Sequence, residues 1–538
     1  LIIIAVVNRL SLINYVTQMN KKNLMDVVFI NPSVGKNYQI LKSRYTTIEP
    51  PTWSLLLAQS MKNFGFNVSI IDANAESISE EEIYNRITNL NPKLIVFVVY
   101  GQNVNAGTTN MEGAIVLSEY IKSRDSKLSI SFIGSYVQAL PVKALEDEKS
   151  IDFVFTNEGV YSLRNILKLN SFDKNNLKQI DGIAYRDNDK IIINKPEKVV
   201  PNERMDLDLP GYAWDLLPYK ERPLDLYRAP MWHAEYDEEK RSPYAALHSS
   251  LGCQFKCSFC MINLINRNNN DEIGVSSHYS GMRYWSADFI INEFKKLIDM
   301  GIKTIRITDE MFLLNPKYYL PLCKKLSELN HNDSLRMWAY SRIDTVKNPE
   351  ILSIVRKAGI KWLCLGIESG DKKVRLEVSK GKFEDVDVRK IINQVHEADI
   401  DVMANYMYGL PGDDQETIKK TYKLSVELCT SGWNTYPAMA LPGSALYKQG
   451  IEKGIEMPKT YSGYSFHAYD TVCLPTEKLK PWEILKLRDD AFNNYHLNPK
   501  FLNRIKKRFG DKAVKNIKQM SKIKLTRKLV EENSKTKF

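Results

Sequence analysis

The sequence predicts an α/β protein in which a doubly wound, Rossmann- or flavodoxin-like N-terminal domain is followed by a partial (β/α)6 barrel and a helical C-terminal region. Two stretches, from about residue 25 to 170 and from about 243 to 450, alternate short apolar runs with helical segments. This alternation is typical of parallel strands covered by helices. After about residue 451 the chain becomes helical in pattern and basic.

The first stretch contains five apolar runs of strand length, at 26–31, 67–72, 93–100, 128–134 and 151–156. Runs that are apolar throughout indicate strands buried on both faces. A doubly wound sheet binds its ligand beyond the carboxyl ends of its strands. The residues at those ends are Asn31, Ser33, Tyr100, Gly101, Gln102, Asn103, Gly134, Ser135 and Tyr136. No G-x-G-x-x-G motif follows the first run, which disfavours a nicotinamide cofactor.

Residues 171–242 are predicted to connect the two stretches, with a hairpin at 181–186 and 190–194. We therefore divide the chain into an N-terminal extension (1–24), the doubly wound domain (25–170), the connector (171–242), the barrel (243–450) and a helical, basic C-terminal region (451–538). Met19 leads directly into the first convincing strand. We expect residues 1–18 to be a translated upstream extension or a frayed tail.

The second stretch has six predicted strands, at 244–250, 303–309, 334–341, 361–368, 401–408 and 434–441. Six βα units are too few to close an eight-stranded barrel, so a partial (β/α)6 barrel is the better interpretation. In barrels of this kind the chemistry takes place at the carboxyl ends of the strands.

Three cysteines lie on one short loop, in the run Cys253-Gln-Phe-Lys-Cys257-Ser-Phe-Cys260. Three thiolates can hold three irons of a [4Fe-4S] cluster, and the fourth iron is then open to a small molecule. The alternative is a structural zinc site, which needs a fourth ligand. The nearest candidate for that ligand is His248.

The cysteine spacing is similar to the signature of the radical S-adenosylmethionine (SAM) enzymes, and the resemblance covers about residues 25 to 500. The segments 49–51, 70–73, 134–141 and 152–159 resemble the cobalamin-binding domain of one subgroup. Many cobalamin proteins carry Asp-x-His-x-x-Gly, whose histidine ligates cobalt, but no histidine precedes His233 here. The resemblance thus implies base-off cobalamin with a weak lower ligand. A degenerate domain that binds nothing is the alternative.

The same resemblance implies SAM contacts at the barrel strand ends. Phe259 stands where an aromatic side chain packs near the adenine, and Glu368 resembles the carboxylate that binds the SAM ribose. Asp309 and Glu310 follow the second barrel strand, where the family has polar contacts to the SAM amino group. The other implied cofactor-binding residues are Ser341, Arg342, Asn405 and Leu441. Taken singly, each has an ordinary alternative, such as a salt-bridge role for Arg342.

The implied activity is reductive cleavage of SAM to a 5′-deoxyadenosyl radical, with Cys253, Cys257 and Cys260 as catalytic cluster ligands. The first hypothesis is a cobalamin-dependent radical SAM enzyme that methylates an unactivated carbon and receives electrons from a donor such as flavodoxin or ferredoxin. The alternatives are an oxidative cyclase or rearranging enzyme with the same cofactors, and a non-catalytic iron–sulfur or cobalamin sensor. The small-molecule substrate is not identified.

Composition places the protein in a reducing compartment, and we expect it to be cytoplasmic. The chain has 538 residues and seven cysteines, three of which form the loop motif. No apolar run approaches the ~20 residues of a membrane span. Residues 501–538 hold 13 Lys and Arg against 3 Asp and Glu, so most of the net charge of +11 is C-terminal. This tail is either solvated or attracted to an anionic surface.

Overall fold

The computed structural model describes residues 24–34, 37–43, 45–101, 104–224, 226–229, 242–378 and 382–535. The predicted N-terminal extension lies outside these residues except for Leu24, and so do Gln102 and Asn103. Within the described residues, no helix has both the length and the apolar character needed to cross a membrane.

The N-terminal sheet has seven strands in the order β2-β1-β3-β4-β5-β6-β7. Strands β1 to β5 are parallel, and their buried faces form continuous apolar runs. The order reverses between β1 and β3, which is the switch point expected of a doubly wound sheet. The strands are β1 (Val27–Asn31), β2 (Val68–Asp72), β3 (Leu94–Val99), β4 (Ile130–Gly134), β5 (Phe153–Phe155), β6 (Ile183–Asp187) and β7 (Lys190–Ile193).

The hairpin that the sequence assigns to the connector extends this sheet. Strand β6 pairs antiparallel with β5, and β7 pairs antiparallel with β6. Helices cover both faces of the sheet. They are α1 (Thr52–Asn63), α2 (Ala73–Glu76), α3 (Glu80–Leu90), α4 (Gly107–Arg124), α5 (Ser135–Ala139), α6 (Pro141–Asp147), α7 (Val160–Leu167), α8 (Lys174–Leu177) and α9 (Met205–Asp208).

The second sheet is a parallel ladder of six strands in the order β15-β14-β13-β12-β11-β8. Among the described residues, β8 and β15 form no pair with each other, so the (β/α)6 barrel is open on one side, as the count of βα units predicts. The strands are β8 (Tyr244–Leu247), β11 (Thr304–Ile307), β12 (Arg336–Arg342), β13 (Ile360–Glu368), β14 (Asp401–Tyr408) and β15 (Gly432–Pro437).

A two-stranded antiparallel ribbon that the sequence analysis missed stands at the start of this barrel. Strand β9 (Ser250–Cys253) pairs with β10 (Gly281–Tyr284), and Cys253 lies opposite Gly281. The sequence analysis merged Ser250 with the strand at 244–250. Four-residue strands are too short for the alternation of apolar and polar residues to reveal them.

The barrel helices and the C-terminal helices follow the strands. They are α10 (Ala287–Asp299), α11 (Pro316–Leu329), α12 (Pro349–Lys357), α13 (Lys372–Glu377), α14 (Val388–Glu397), α15 (Gln415–Leu428), α16 (Ala445–Glu452), α17 (Pro481–His496), α18 (Pro499–Met520) and α19 (Lys528–Lys535). Helix α18 is interrupted at Gly510, which has a φ of +86°. The sequence predicts α17 at 480–494 and α18 at 499–519, so both helices are where we expected them.

The basic C-terminal region packs on the barrel, and several of its charges are paired there. Arg508 Nε donates to Asp401 Oδ2 at 2.8 Å, and Arg527 Nε donates to Asp489 Oδ2 at 2.8 Å. Trp433 of β15 stacks on Tyr495 of α17 with ring centroids 5.3 Å apart. The C-terminal helices therefore cover the barrel next to its edge strand β15.

Candidate functional site

The cysteine loop begins at the end of β9 and is held by Asn263. Asn263 Oδ1 accepts from the backbone N–H of Cys253 at 2.8 Å, and Asn263 Nδ2 donates to the Cys253 carbonyl at 2.8 Å. Ser276 fixes this asparagine by accepting from its backbone N–H. The Asn263 side-chain amide therefore bonds both the N–H and the carbonyl of Cys253, and these two bonds fix the direction in which the loop leaves β9.

The Cys253 side chain is buried, and those of Cys257 and Cys260 are half-buried. Burial raises the pKa of Cys253, Cys257 and Cys260 to about 12, and each thiol also feels the negative charge of another cysteine of the loop. A bound metal reverses this shift, because a coordinating thiol is deprotonated. Asn105 Nδ2 donates to Cys260 Sγ at 3.7 Å, and the backbone N–H of Phe255 donates to Cys253 Sγ at 3.5 Å.

Three soft sulfur donors on one loop fit an iron–sulfur cluster. Within the described residues, no three His, Cys, Asp or Glu side chains are gathered as they would be around a single metal ion. His248, the candidate fourth zinc ligand, is buried, and burial together with the charge of Arg306 lowers its pKa to about 3. Its ring packs edge-on against Trp53.

The thiols open into a cavity of about 900 Å³ at the carboxyl ends of the barrel strands. The cavity brings together nearly all the residues that the resemblance implied for the barrel. They are Cys253, Cys257, Phe259, Cys260, Glu310, Ser341, Arg342, Glu368, Asn405 and Leu441. Their shared position at the strand ends is what a SAM site above the cluster requires.

Asp309 differs from the other predicted barrel residues, because it does not line the cavity. Its buried carboxylate accepts from the backbone N–H and the hydroxyl of Ser249, both at 2.6 Å, and from the hydroxyl of Ser250 at 2.5 Å. These bonds hold the turn between β8 and β9. In this structure Asp309 positions the strand that carries Cys253.

Two carboxyl groups of the cavity have raised pKa values. Burial raises the pKa of Glu310 to about 7, although the positive charge of Arg306 opposes the shift. Burial likewise raises the pKa of Glu368 to about 7, opposed by Arg342. Glu368 has a φ of +63° at a break in the β13–β14 register. A left-handed backbone at a strand end is strained for a glutamate and is typical of a functional position.

Arg342 lies between the cysteine loop and its own ion-pair partner. Its guanidinium stands 3.6 Å from the ring centroid of Phe255 and 4.3 Å from that of Phe383. Its Nε donates to Asp344 Oδ1 at 2.7 Å. The positive charge of Arg342 also lowers the pKa of Cys257, against the larger effect of burial. Arg342 thus supplies positive charge beside the cluster loop.

The predicted residues of the N-terminal sheet that the structure describes lie outside the cavity lining. Asn31 Nδ2 donates to Asp72 Oδ1 at 2.7 Å, and Tyr100 accepts from Gln138. Tyr136 packs edge-on against Tyr461. A Cβ on Gly134 would stand 2.3 Å from the carbonyl oxygen of Val99, and a Cβ on Gly101 2.6 Å from Asn110. Ser33 and Ser135 are likewise outside the lining.

Residues further along the loops after β1 and β3 form the N-terminal wall of the cavity. They are Tyr38, Leu41, Tyr45, Thr46, Thr47, Glu49, Asn105, Ala106 and Thr109. Apart from Glu49, which belongs to the segment 49–51, the sequence analysis missed them because it stopped at the first residues beyond each strand. This wall faces the cluster loop, since Asn105 contacts Cys260. The space between the two suits a large cofactor that reaches from the doubly wound sheet to the cluster.

A buried ion pair joins the two halves of the protein inside the cavity. Arg306 Nη1 of β11 donates to Glu49 Oε1 at 2.6 Å, and Tyr244 OH donates to the same oxygen at 3.1 Å. The guanidinium stands 4.7 Å from the ring centroid of Trp338 and 5.1 Å from that of Tyr340. The rings of Trp338 and Tyr340 line the cavity, and so does the ring of Trp433. Another large aromatic side chain of this half of the protein, Trp285, is buried in the core and does not reach the cavity.

Part of the cavity lining, including the cysteine loop, falls inside a recognised domain. Residues 247–425 match the family described as the radical SAM superfamily. The match begins at the last residue of β8 and ends within α15, so it covers the cysteine loop and the four barrel strands β11 to β14.

Two relatives align with most of the chain. An uncharacterized methyltransferase of Pyrococcus horikoshii is 25% identical over 465 residues, which cover 85% of this chain and 90% of the relative. An anaerobic magnesium-protoporphyrin IX monomethyl ester cyclase of Cereibacter sphaeroides is 23% identical over 494 residues, covering 88% of this chain and 70% of the relative. The similarity therefore extends well beyond the matched domain.

The fold is similar to that of a solved enzyme. The radical SAM methyltransferase TsrM of Kitasatospora setae, with cobalamin and a [4Fe-4S] cluster bound, superposes with a TM-score of 0.58 at 14% identity. The superposition covers 81% of this chain and 79% of TsrM. At this level of identity the likeness concerns the fold.

Proposed function

We propose, from the premise that residues 247–425 form a radical SAM domain, that this chain is a cobalamin-dependent radical SAM enzyme that methylates an unactivated carbon. The observation that carries the proposal is one cavity lined both by the three cysteines and by loops of the doubly wound sheet. The methyltransferase names of the Pyrococcus relative and of TsrM support methyl transfer.

The chain's own residues would divide the work as follows. Cys253, Cys257 and Cys260 hold the cluster. Glu310 and Glu368 accept hydrogen bonds from the amino and ribose groups of SAM once they are ionised. The wall from Tyr38 to Thr109 holds cobalamin. When bound, the reduced cluster would supply the electron that cleaves SAM into methionine and a 5′-deoxyadenosyl radical, and cobalamin would supply the methyl group for the substrate. The surrounding side chains exclude water from the radical.

The domain boundaries given above and a cytoplasmic location are part of the proposal, as is an electron donor such as flavodoxin or ferredoxin. The open fourth iron needs a reductant of low potential, which a reducing compartment supplies. The donor must approach from outside the cavity. Gln254 of the cysteine loop is exposed there.

Anaerobic reconstitution with iron, sulfide, SAM, cobalamin and a reductant tests the proposal. We expect about four irons per chain and slow formation of 5′-deoxyadenosine even without substrate. With a substrate, S-adenosylhomocysteine should accompany 5′-deoxyadenosine. Purified protein that binds zinc in place of iron, or that binds cobalamin and a cluster but never cleaves SAM, would contradict the proposed activity.

A second candidate function rests on the cyclase relative, which aligns with 88% of the chain. An oxidative cyclase or rearranging enzyme would use the same cofactors without methyl transfer. The products distinguish the two: 5′-deoxyadenosine without S-adenosylhomocysteine, in the presence of a consumed substrate, indicates the second function. A sensor that binds both cofactors would form neither product.

A further inference from the structure

The C-terminal end of the cavity has an unbalanced buried charge. Arg488 and Arg527 are both only 3% exposed, and they share a single carboxylate, that of Asp489. Arg488 Nη1 donates to Asp489 Oδ1 at 2.9 Å. Arg527 donates to the same carboxylate through Nε at 2.8 Å and Nη2 at 3.0 Å. Two guanidinium groups with one carboxylate leave one positive charge in the wall.

The remaining ionisable groups of this wall do not cancel that charge. Lys486 pairs with Asp490 at 2.5 Å, and Glu531 Oε2 accepts from Tyr469 OH at 2.8 Å. The ionisable groups at this end are four basic and three acidic residues: Lys486, Arg488, Asp489, Asp490, Lys524, Arg527 and Glu531. The sum is again one positive charge, and its origin is the buried arginine pair.

Arg488 has one nitrogen that is not used by the protein. Its Nε donates to the Thr435 carbonyl at 2.9 Å and its Nη1 to Asp489, and among the described residues its Nη2 has no partner. The side chain lines the cavity. A buried guanidinium with an unused donor is costly unless a ligand completes it. Repulsion from Arg488 and Arg527, added to burial, holds the pKa of His467 well below its usual value, so this histidine is neutral.

Aromatic rings lie near the Arg488 guanidinium. The Arg488 guanidinium stands 5.2 Å from the ring centroid of Phe492 and 5.6 Å from that of Phe466. The adjoining wall is formed by Trp433, Phe501, Ile517, Met520, Ile523 and Val530. Three of these residues belong to α18, Trp433 belongs to β15 and Val530 to α19, and all six lie outside the matched domain.

We propose that the substrate is an apolar molecule with one carboxylate, and that Arg488 Nη2 binds this carboxylate at the C-terminal end of the cavity. A single free nitrogen and one excess charge match a monoanion and one of its oxygens. A phosphate would need more donors than this wall offers. Calling this ligand the substrate rests on the proposed function, whereas the binding of a carboxylate by Arg488 does not.

The test compares three probes that share one apolar body: 2-naphthoate, 2-naphthamide and 2-naphthyl phosphate. Their dissociation constants are measured by calorimetry on the full-length protein reconstituted with cluster, SAM and cobalamin. We expect 2-naphthoate to bind roughly 10- to 100-fold more tightly than the amide, the range of one charge-assisted hydrogen bond. Equal binding of the two, tighter binding of the phosphate, or no binding of the carboxylate at millimolar concentration would overturn the proposal.

Variants separate a charge effect from a structural one. In Arg488→Gln, 2-naphthamide and 2-naphthoate should have nearly equal dissociation constants, because the positive charge is lost. In Arg488→Lys, part of the preference for 2-naphthoate should return. The matched control is Arg508→Gln, an arginine of α18 that pairs with Asp401 outside the cavity lining and should keep the full preference. Equal weakening of both probes by Arg488→Gln and Arg488→Lys would mean a purely structural role and would overturn the assignment.

The readout is independent of the enzymatic proposal. Iron content and the melting temperature of each variant show whether it folds and holds its cluster. Failure to cleave SAM with an intact preference for the carboxylate would reject the proposed function alone. Cleavage of SAM without any preference would reject the substrate class alone.

Discussion

The carboxyl edges of the two parallel sheets differ in what their polar residues do. At the edge of the N-terminal sheet, Asn31 and Tyr100 bond to neighbouring side chains, and Gly134 is in close contact with Val99. At the edge of the barrel, Glu310 and Glu368 face a cavity. The edge of the N-terminal sheet therefore positions the loops that line the cavity, whereas residues at the edge of the barrel line the cavity themselves.

The comparison shows that a residue at the carboxyl end of a parallel strand does not necessarily face the ligand cavity. In the doubly wound sheet, helix α5 starts directly after β4, and a Cβ on Gly107 at the start of α4 would stand 2.7 Å from the Val99 carbonyl oxygen at the end of β3. In the barrel, the strands point their last residues around a common axis, so side chains at the ends converge. The predictions below probe this difference, beginning with the largest effect.

Loss of a cluster thiol should have the largest effect. Cys253→Ala removes one of three ligands, and we expect iron to fall from about four per chain to near zero together with SAM cleavage. Iron analysis and the absorption near 400 nm after anaerobic reconstitution, which is roughly where such clusters absorb, measure it. The control is Cys323→Ala, a buried cysteine of α11 outside the cavity lining. If Cys253→Ala kept its iron, the cluster assignment would be wrong.

Gly134→Ala tests the closed packing of the N-terminal edge. The new Cβ would stand 2.3 Å from the Val99 carbonyl oxygen, so β3 and β4 must separate. We expect a loss of about 3 kcal/mol in the free energy of unfolding and weaker retention of cobalamin.

Gly65→Ala is the matched control for this substitution. Gly65 also has a positive φ, +88°, but no described atom lies within 4 Å of the added Cβ. It should lose only about 1 kcal/mol, the cost of the backbone conformation. Denaturant titration gives both values, and equal losses would show that the contact with Val99 is not tight.

Asp309→Asn distinguishes a positioning residue from a direct SAM ligand. The substitution weakens the bonds to Ser249 and Ser250, so we expect the free energy of unfolding to fall by ~1–2 kcal/mol. Glu310→Gln, the neighbouring cavity residue, should instead weaken SAM binding without lowering stability. Thermal melting and SAM titration are measured on both variants. A loss of SAM affinity in Asp309→Asn at unchanged stability would contradict the positioning role.

The raised pKa of Glu368 gives a pH dependence of stability in the cofactor-free protein. A folded pKa of about 7, above the ordinary value of 4.5, means that the folded state binds the proton more tightly. This contribution is fully present below pH 4.5 and is lost as the pH rises through 7. Glu368→Gln should therefore gain stability relative to the native protein between pH 5 and 8, by up to about 1 kcal/mol because solvent in the open cavity screens the effect.

Melting temperatures of the two proteins across this pH range give the difference. The control is the same pair of measurements on Asp371→Asn, which replaces a half-buried carboxyl outside the cavity lining. Its pKa is lowered by Lys420, so its own contribution changes in the opposite sense and at lower pH. A difference for Glu368→Gln that does not grow with pH would mean that the carboxyl is ionised in the folded protein well below pH 7.

Much of the fold was predictable because buried parallel strands are apolar throughout. The strand β14 was predicted with its exact bounds, Asp401–Tyr408, and the helices α17 and α18 to within two residues. The ribbon of β9 and β10 was missed because each strand has four residues and its partner lies far along the chain. The cysteine loop needed no tertiary information, since its spacing alone brings three thiols together.

Other parts of the site depend on contacts that no local pattern encodes. Glu49 meets Arg306 across 257 residues, and Asn105 meets Cys260 across 155. From the sequence, Arg488 is an ordinary charged residue of an amphipathic helix. The structure shows that its side chain is buried and that one of its nitrogens makes no hydrogen bond to the described residues. The basic tail was expected to be solvated or to meet an anionic surface. Several of its lysines, such as Lys506, Lys507 and Lys512, are exposed, while another part of it packs against α17 and forms part of the cavity wall.

By itself the sequence determined the order of the two α/β layers and the three sulfur donors, because periodicity and close spacing are local properties of the chain. Only the tertiary structure decided which strand-end residues reach the cavity, since that depends on how helices and loops pack around each sheet. The same packing took Asp309 out of the cavity and brought Arg488 into it. Burial changes the charge chemistry of a side chain, and burial is fixed by the whole fold.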